Sequence, residues 1–378
     1  MPAKAVIVAT DIITPYGMGC DVCWDGLMAN RTAIATLSRF NTGAFMSDYA
    51  GVIAGLEYHG ETSLVMQMLE RLFTASSTMI PPDARLLLAT TKGEIDLLEK
   101  SILSGSGDAG ESSLECLLEK VIEVSGARGG ALALSAACTS SSAAVARAGA
   151  MVRAGHADCV LVVACDAVTE FIYSGFSSLM ALDKNPARPF DKTRIGLSVG
   201  EAAGYMLIMA EERAQREGRA VLAELAGWGL SDDANHMTGP SRESEGMVSA
   251  ITKALQSAGV FGKQIGCISA HGTGTPYNDA MEMRAFRSVF SGPLPVYSIK
   301  GAIGHTMGAA GLVELAMVCR ALREQLIPPT VNLDEADDDA RGWVSKDSQS
   351  IAPESFALVT NAGFSGVNTA LALSGRCV

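Results

Sequence analysis

The chain has 378 residues, 48% of them hydrophobic and 19% charged, with a formal net charge of −12. Such a composition buries a sizeable core, in one large domain or two to three average ones, and offers no concentrated basic face for nucleic-acid phosphates. No apolar run is long enough to span a membrane, and the N-terminal MPAKAVIVATD lacks the apolar core and cleavage site of a secretory signal, so a cytoplasmic protein is expected.

In chain order, Lys4–Thr10 reads as an opening strand and Cys20–Ala29 as a short helix. An amphipathic helix over Leu64–Ala75 precedes the strand Arg85–Thr90. Helices follow over Glu94–Ile102 and Ser112–Val124, then a strand over Ala131–Ser135. The segment SAACTSSSAAVARAGAMVR then reads as strand end, tight turn, Cys138 and helix, with Gly155 where a helix C-terminus would put it. Residues 159–165 form a buried strand, Tyr205–Met209 another, and Glu211–Glu217 a helix closed by Gly218.

The alternation restarts near residue 220. Val221–Gly227 is a strand, Glu243–Ala258 a helix and Ile265–Ala270 a strand running into His271. A helix over Ala280–Phe290, a strand at Val296–Ile299 and one long helix over Gly304–Arg323 come next. Strands at Phe356–Thr360 and Thr369–Ser374 close the chain, and Asp334–Ala340 is an acidic surface loop. Alternating strands and helices predict a layered α/β fold with mixed sheets, and the restart predicts two similar halves, 1–219 and 220–378.

Two motifs carry no chemistry in their setting. Gly105 to Gly110 matches G-x-G-x-x-G, but a helix precedes it, and without strand before and helix after the dinucleotide fingerprint loses its mechanism. Cys20-Asp-Val-Cys23 has no second pair and no nearby histidines, so a zinc site would lack two of four ligands. The nine cysteines follow no framework spacing and are read as reduced thiols.

Cys138 stands at the first turn of its helix, where unpaired N–H groups and the positive dipole end favour a thiolate. The alternative is a buried structural cysteine, and the stretch alone does not separate the two. Five histidines are present, and two keep unusual company. His271 opens HGTGTP after a strand, and His305 lies in SIKGAIGHTMGAAG, five residues after Lys300. Each stands where a strand hands over to glycine-rich backbone that lets a ligand approach, a setting His59 and His156 lack.

Together, CTSSS, HGTGTP with Asp279 and Glu282 beyond it, K-x-x-x-GHTMGAAG and N-A-G-F-S-G-V-N resemble the elongating β-ketoacyl-acyl-carrier-protein synthases. The resemblance runs the length of the chain and takes in Arg188-Pro-Phe-Asp191, Gly200-Glu201 and His236-Met-Thr238. It implies the thiolase-like fold: two pseudo-equivalent halves, each a mixed five-stranded sheet with helices, layered αβαβα. It implies Cys138 as the acyl-holding nucleophile, His271 and His305 as donors to an enolate, and Lys300 as the lysine that orients them. The N–H groups of Cys138 and Phe364 would form the oxyanion hole. Thr273 and Thr275 would bind the phosphopantetheine arm, Phe176 the acyl pocket, and Thr238 the arm's entrance. Asp279, Glu282 and Glu314 look structural.

The implied partners are an acyl carrier protein and a second subunit, identical or related, paired through the strand before the nucleophile. The implied reaction is decarboxylative condensation of malonyl thioester, with no metal or organic cofactor, in fatty-acid, polyketide or polyene elongation. Alternatives are an acyltransferase variant without condensation and the chain-length partner of a ketosynthase heterodimer. Such partners generally lack the nucleophile, and a thiolase would need a second cysteine in a C-x-G setting that Cys377 does not have. The chain also departs from the family pattern. Ser365 replaces a gate glycine, RIGLSVGEAAG replaces a commoner glycine-rich run, and Met180 stands where a basic carrier contact is usual. Arg71 stands alone in its segment, leaving Arg147, Arg153, Lys184, Arg188, Lys192 and Arg194 as candidates for the carrier-facing patch.

Overall fold

Ten strands in line, with the two-residue strand Gly17–Met18 paired to the end of the first, make one continuous sheet in the computed structural model, which describes residues 3–105 and 109–375. The first five are β1 (Ala5–Thr14), β2 (Arg85–Ala89), β3 (Ala131–Leu134), β4 (Cys159–Asp166) and β5 (Ala202–Ala210). The second five are β6 (Ala223–Asp232), β7 (Ile265–Ser269), β8 (Val296–Tyr297), β9 (Phe356–Ala362) and β10 (Val367–Ser374). The first set lies in the order β3-β2-β4-β5-β1, with the first two contacts parallel and the last two antiparallel. The second set repeats this as β8-β7-β9-β10-β6, with the same senses. A short antiparallel contact joins the two, Val6 to Glu224 and Ile7 to Ala223.

Alternation along each strand divides the core into layers. Val6, Leu86, Leu88, Leu161 and Val163 face the helices Leu64–Ala75 and Leu114–Ser125. Ile268, Leu358, Ala370 and Ala372 face Glu245–Ala258 and Pro276–Val289. The opposite faces of both halves close on two central helices, Ser140–Arg153 and Ala310–Glu324, which bury most of their circumference. The order is helix, sheet, helix, sheet, helix.

The central helices approach closely because small residues line the contact. A Cβ on Gly311 would lie 1.9 Å from Ser142 Oγ and 2.8 Å from Asn361 Oδ1. The Leu312 N–H donates to Ser141 Oγ at 3.0 Å. Two helix starts, one from each half, are thereby locked side by side.

Several sequence expectations need correction. The long helix expected near Gly304–Arg323 starts later than that: a one-turn helix, Lys300–Ile303, precedes it, then a 3-10 turn, Met307–Ala309, leads into the helix Ala310–Glu324. Positive φ at Gly304 (78°) and Met307 (52°) makes the break, which leaves His305 in the gap. A helix over Glu170–Ser178 was not anticipated from its sequence; Thr169 caps it, its Oγ1 accepting from the Ile172 N–H. The helix expected at Ala280 starts at Pro276, where the fixed φ of proline suits a first turn. Part of the Gly105–Gly110 motif, and Cys377, lie outside the described residues.

Candidate active site

Cys138 follows β3 through a turn in which Ala137 takes a left-handed conformation, φ 48°. Ser140 holds that turn: its hydroxyl donates to the Ala137 carbonyl (2.6 Å) and accepts from the Ala136 N–H (2.8 Å). The thiol therefore projects from the head of the central helix into a cavity of about 1160 Å3. His271, His305, Phe176, Thr238, Thr273, Thr275 and Phe364 line the same cavity. Lys300 lies behind it, 1% exposed. Every site residue expected from the sequence is thus at the cavity or directly behind its wall.

The imidazoles of His271 and His305 meet with ring centroids 5.1 Å apart and planes at 89°. Burial, with the nearby Lys300 charge adding, holds both well below the ordinary histidine range, so each is neutral at physiological pH. A neutral imidazole carries one N–H, and its neighbours decide where. The Met307 N–H donates to His305 Nδ1 at 3.3 Å, which leaves the proton on Nε2. The Asn361 side-chain NH2 faces His271 Nδ1 at 3.5 Å and donates to Glu314 Oε2 at 2.6 Å, favouring the same tautomer.

Lys300 is tied down twice. Its ammonium donates to the His271 carbonyl at 2.5 Å and pairs with Glu314 Oε1. Glu314 is itself pushed up by burial, with Lys300 and Asn361 opposing. The HGTGTP turn is clamped from beneath by carboxylates: Glu282 accepts from the N–H groups of His271 (2.8 Å) and Gly272 (2.7 Å), Asp279 from that of Thr273 (3.0 Å). These acids support the backbone and do not face the cavity chemistry, as the sequence suggested.

The expectation of a thiolate at Cys138 is not met. Burial pushes its thiol up to about 11; the Phe364 N–H directed at the sulfur and the Lys300 charge pull back only part of that. Desolvation outweighs the helix end here, so the resting group is a thiol.

Phe364 sits in a turn between β9 and β10, its ring 5.9 Å from that of Phe176 and tilted to it by 44°. The position of a Cβ on Gly363 would lie 3.4 Å from Cys138 N, so this turn lies against the nucleophile's backbone. Ser365 adopts φ 71°, and its N–H donates to the Met237 carbonyl at 2.7 Å. Thr238 turns toward His236, its N–H donating to His236 Nδ1 at 3.1 Å. Of the basic residues considered for a carrier-facing patch, several have partners within the chain. Arg153 lies over the Trp228 ring at 4.1 Å, and Arg194 pairs with Asp279 and Asp337. Lys184 and Arg147 remain exposed.

Two buried residues at the site were not singled out from sequence. Asn361 bridges Ser142, Glu314 and His271. Asp166, at the end of β4, accepts from the Gly308 N–H at 2.7 Å. The N-A-G-F-S-G-V-N motif contains Asn361 and offered a signal; Asp166 offered none beyond ending an apolar strand.

The duplicated sheet, the paired central helices and a cavity lined by one cysteine and two histidines define a thiolase-like condensing enzyme scaffold. The comparisons with known proteins agree. Residues 121–214 match the family model of the β-ketoacyl synthase N-terminal domain and residues 222–334 that of the C-terminal domain, together more than half of the chain. The chain belongs to the β-ketoacyl synthase family. It is 29% identical over 409 residues to 3-oxoacyl-[acyl-carrier-protein] synthase 2 of Vibrio cholerae, covering 97% of this chain and 98% of that one. The corresponding protein of Synechocystis is 28% identical over 410 residues, covering 98% and 97%. Among solved structures, the ishigamide ketosynthase/chain length factor superposes with a TM-score of 0.90 at 26% identity, covering 100% of both chains. A β-ketoacyl synthase from Burkholderia phymatum gives 0.87 at 23% identity, covering 99% and 100%.

Proposed function

We propose that the chain is a β-ketoacyl-[acyl-carrier-protein] synthase that condenses malonyl thioester with an acyl group held on Cys138, in fatty-acid or polyketide-type elongation. The observation that carries this reading is the pair of neutral imidazoles, both with Nδ1 facing a donor, in one cavity with the thiol.

In the first half-reaction Cys138 Sγ attacks the acyl thioester, the thiol proton passes to the departing arm sulfur, and a new thioester forms. The tetrahedral oxyanion accepts from the N–H groups of Cys138 and Phe364, each such donor being worth about 3–4 kcal/mol. In the second, malonyl thioester loses CO2 and the electron pair collects on the thioester oxygen. His271 and His305 donate Nε2–H to that oxygen. The enolate carbon then attacks the acyl carbonyl and Cys138 leaves as its thiolate, giving a β-ketoacyl product two carbons longer. Lys300 holds the His271 backbone and neutralises Glu314. The carbonyl itself is the electron sink, so the proposed chemistry draws on no metal or organic cofactor.

Thr273 and Thr275, whose hydroxyls lie 2.9 Å apart on the cavity wall, are proposed to hold the phosphopantetheine arm of an acyl carrier protein. A dimer through the free edge of β3, with a second copy or a related ketosynthase chain, completes the reading. The relatives' description as carrier-protein synthases and the ketosynthase/chain length factor likeness support it. No helix among the described residues is long and apolar enough to cross a membrane; a cytoplasmic setting is proposed from the reduced-thiol composition.

The test separates the half-reactions. His271→Ala and His305→Ala are each expected to slow malonyl decarboxylation by about 100-fold or more while Cys138 still acquires acyl mass from acyl carrier protein. Intact-protein mass spectrometry reads the adduct. Condensation at near wild-type rate in either variant would show that histidine to be structural.

A further inference from the structure

His305 stands in a break between helices, its backbone bridged to Val199 of the first half. Its ring is oriented by the Met307 N–H, at 3.3 Å from Nδ1. Met307 is left-handed at φ 52°, a conformation that a non-glycine residue keeps only when its surroundings impose it.

Beyond the backbone bonds of His305 to Ser198 and Gly200, a carboxylate from the first half, Asp166, grips the residue that follows Met307. Asp166 is 1% exposed and lies outside the cysteine–histidine cavity. Its Oδ2 accepts from the Gly308 N–H at 2.7 Å and from the Thr91 N–H at 3.0 Å. Its Oδ1 accepts from Thr90 Oγ1 at 2.9 Å and from the Lys92 N–H at 3.3 Å. Each of these is a donor, and together they oppose in part the burial that pushes the Asp166 carboxyl up. The fit is tight on the Gly308 side, where a Cβ would come within 2.6 Å of Oδ2.

We infer that Asp166 is a positioning residue for His305: by holding the Gly308 N–H it keeps Met307 in the conformation that fixes the Nε2–H tautomer. Without the carboxylate, the Gly308 and Thr91 N–H groups face each other with no acceptor between them. The turn relaxes, the Met307 N–H leaves Nδ1, and the imidazole proton is free to sit on either nitrogen. Cys138 acylation, which does not use His305, is spared.

This rests on the condensing reading above, and the experiment separates the two. Asp166→Asn keeps the size but turns an NH2 toward the donors. Malonyl decarboxylation is expected to fall at least tenfold and Cys138 acylation less than threefold. Gly308→Ala, which crowds the same contact from the other side, is expected to show the same split and serves if Asp166→Asn does not fold. In 15N-histidine-labelled protein, with His305 assigned by its loss in His305→Ala, the Nε2–H tautomer is expected in wild type and a mixture in the variants. An unchanged tautomer, or an equal fall of both half-reactions, overturns the role of Asp166. If wild type decarboxylated no malonyl thioester, the condensing reading would fall, and the tautomer spectrum would still decide on Asp166.

Discussion

At the scale of single residues, the site works through neutral groups. Two imidazoles are kept uncharged by burial, and the nucleophile is kept as a thiol by the same cause. The sequence showed which residue types meet, because cysteine, lysine and two histidines sit beside glycines at strand ends. It did not show their charge states, because the helix end is visible in a sequence and the depth of the burial opposing it is not. The consequence is measurable. With the Cys138 thiol near 11, its thiolate fraction rises about tenfold per pH unit below that value. Alkylation of Cys138 by iodoacetamide is expected to accelerate steadily from about pH 7 to pH 10. A plateau near pH 7 would instead mean an activated thiolate.

At the scale of elements, breaks matter more than the helices they interrupt. Residues 304–323 have the composition of one long helix, and the short 3-10 turn inside it depends on contacts from β4 that no local pattern records. The Phe364–Gly366 turn is a second case. Ser365 there holds φ 71°, which costs a non-glycine residue about 1 kcal/mol, and its N–H is fastened to Met237. Ser365→Gly removes that cost but adds freedom to the unfolded chain, worth about 0.4–1 kcal/mol in the other direction. Stability is therefore expected to change by less than about 0.5 kcal/mol, while the set of acyl chains loaded on Cys138 broadens. Competition among acyl carrier substrates, scored by intact mass, checks this. Identical acyl profiles would move selectivity to the pocket wall near Phe176.

At the scale of the molecule, the repeated strand order was legible as a restart in the alternation, whereas the joining of both halves into one sheet was not. Ala131–Ser135 read as a strand apolar on both faces and buried; in the single chain β3 is the sheet edge, and Leu132 is 43% exposed. An open apolar edge of this kind is a pairing surface. Light scattering at micromolar concentration is expected to give a dimer, and Leu132→Lys to give a monomer with the same circular dichroism. A wild-type monomer would remove the proposed subunit pairing.

The join between the halves has a mechanical consequence. Cys138 belongs to one half and His271 and His305 to the other, so the distance on which the reaction depends is set by how the halves are mounted on each other. A misplacement of about 1 Å costs about a hundredfold in rate, which leaves no tolerance for a hinge. Three kinds of contact make the mounting: a shared sheet, two helix heads joined by the Leu312 N–H donating to Ser141 Oγ, and side chains such as Arg153 reaching across to the Ala226 carbonyl. A two-lobed enzyme commonly admits its substrate by opening the lobes. Here sheet, helix and side-chain contacts all tie the two halves together, and the turn around Phe364, with Ser365 at φ 71°, lies at the cavity wall outside those ties.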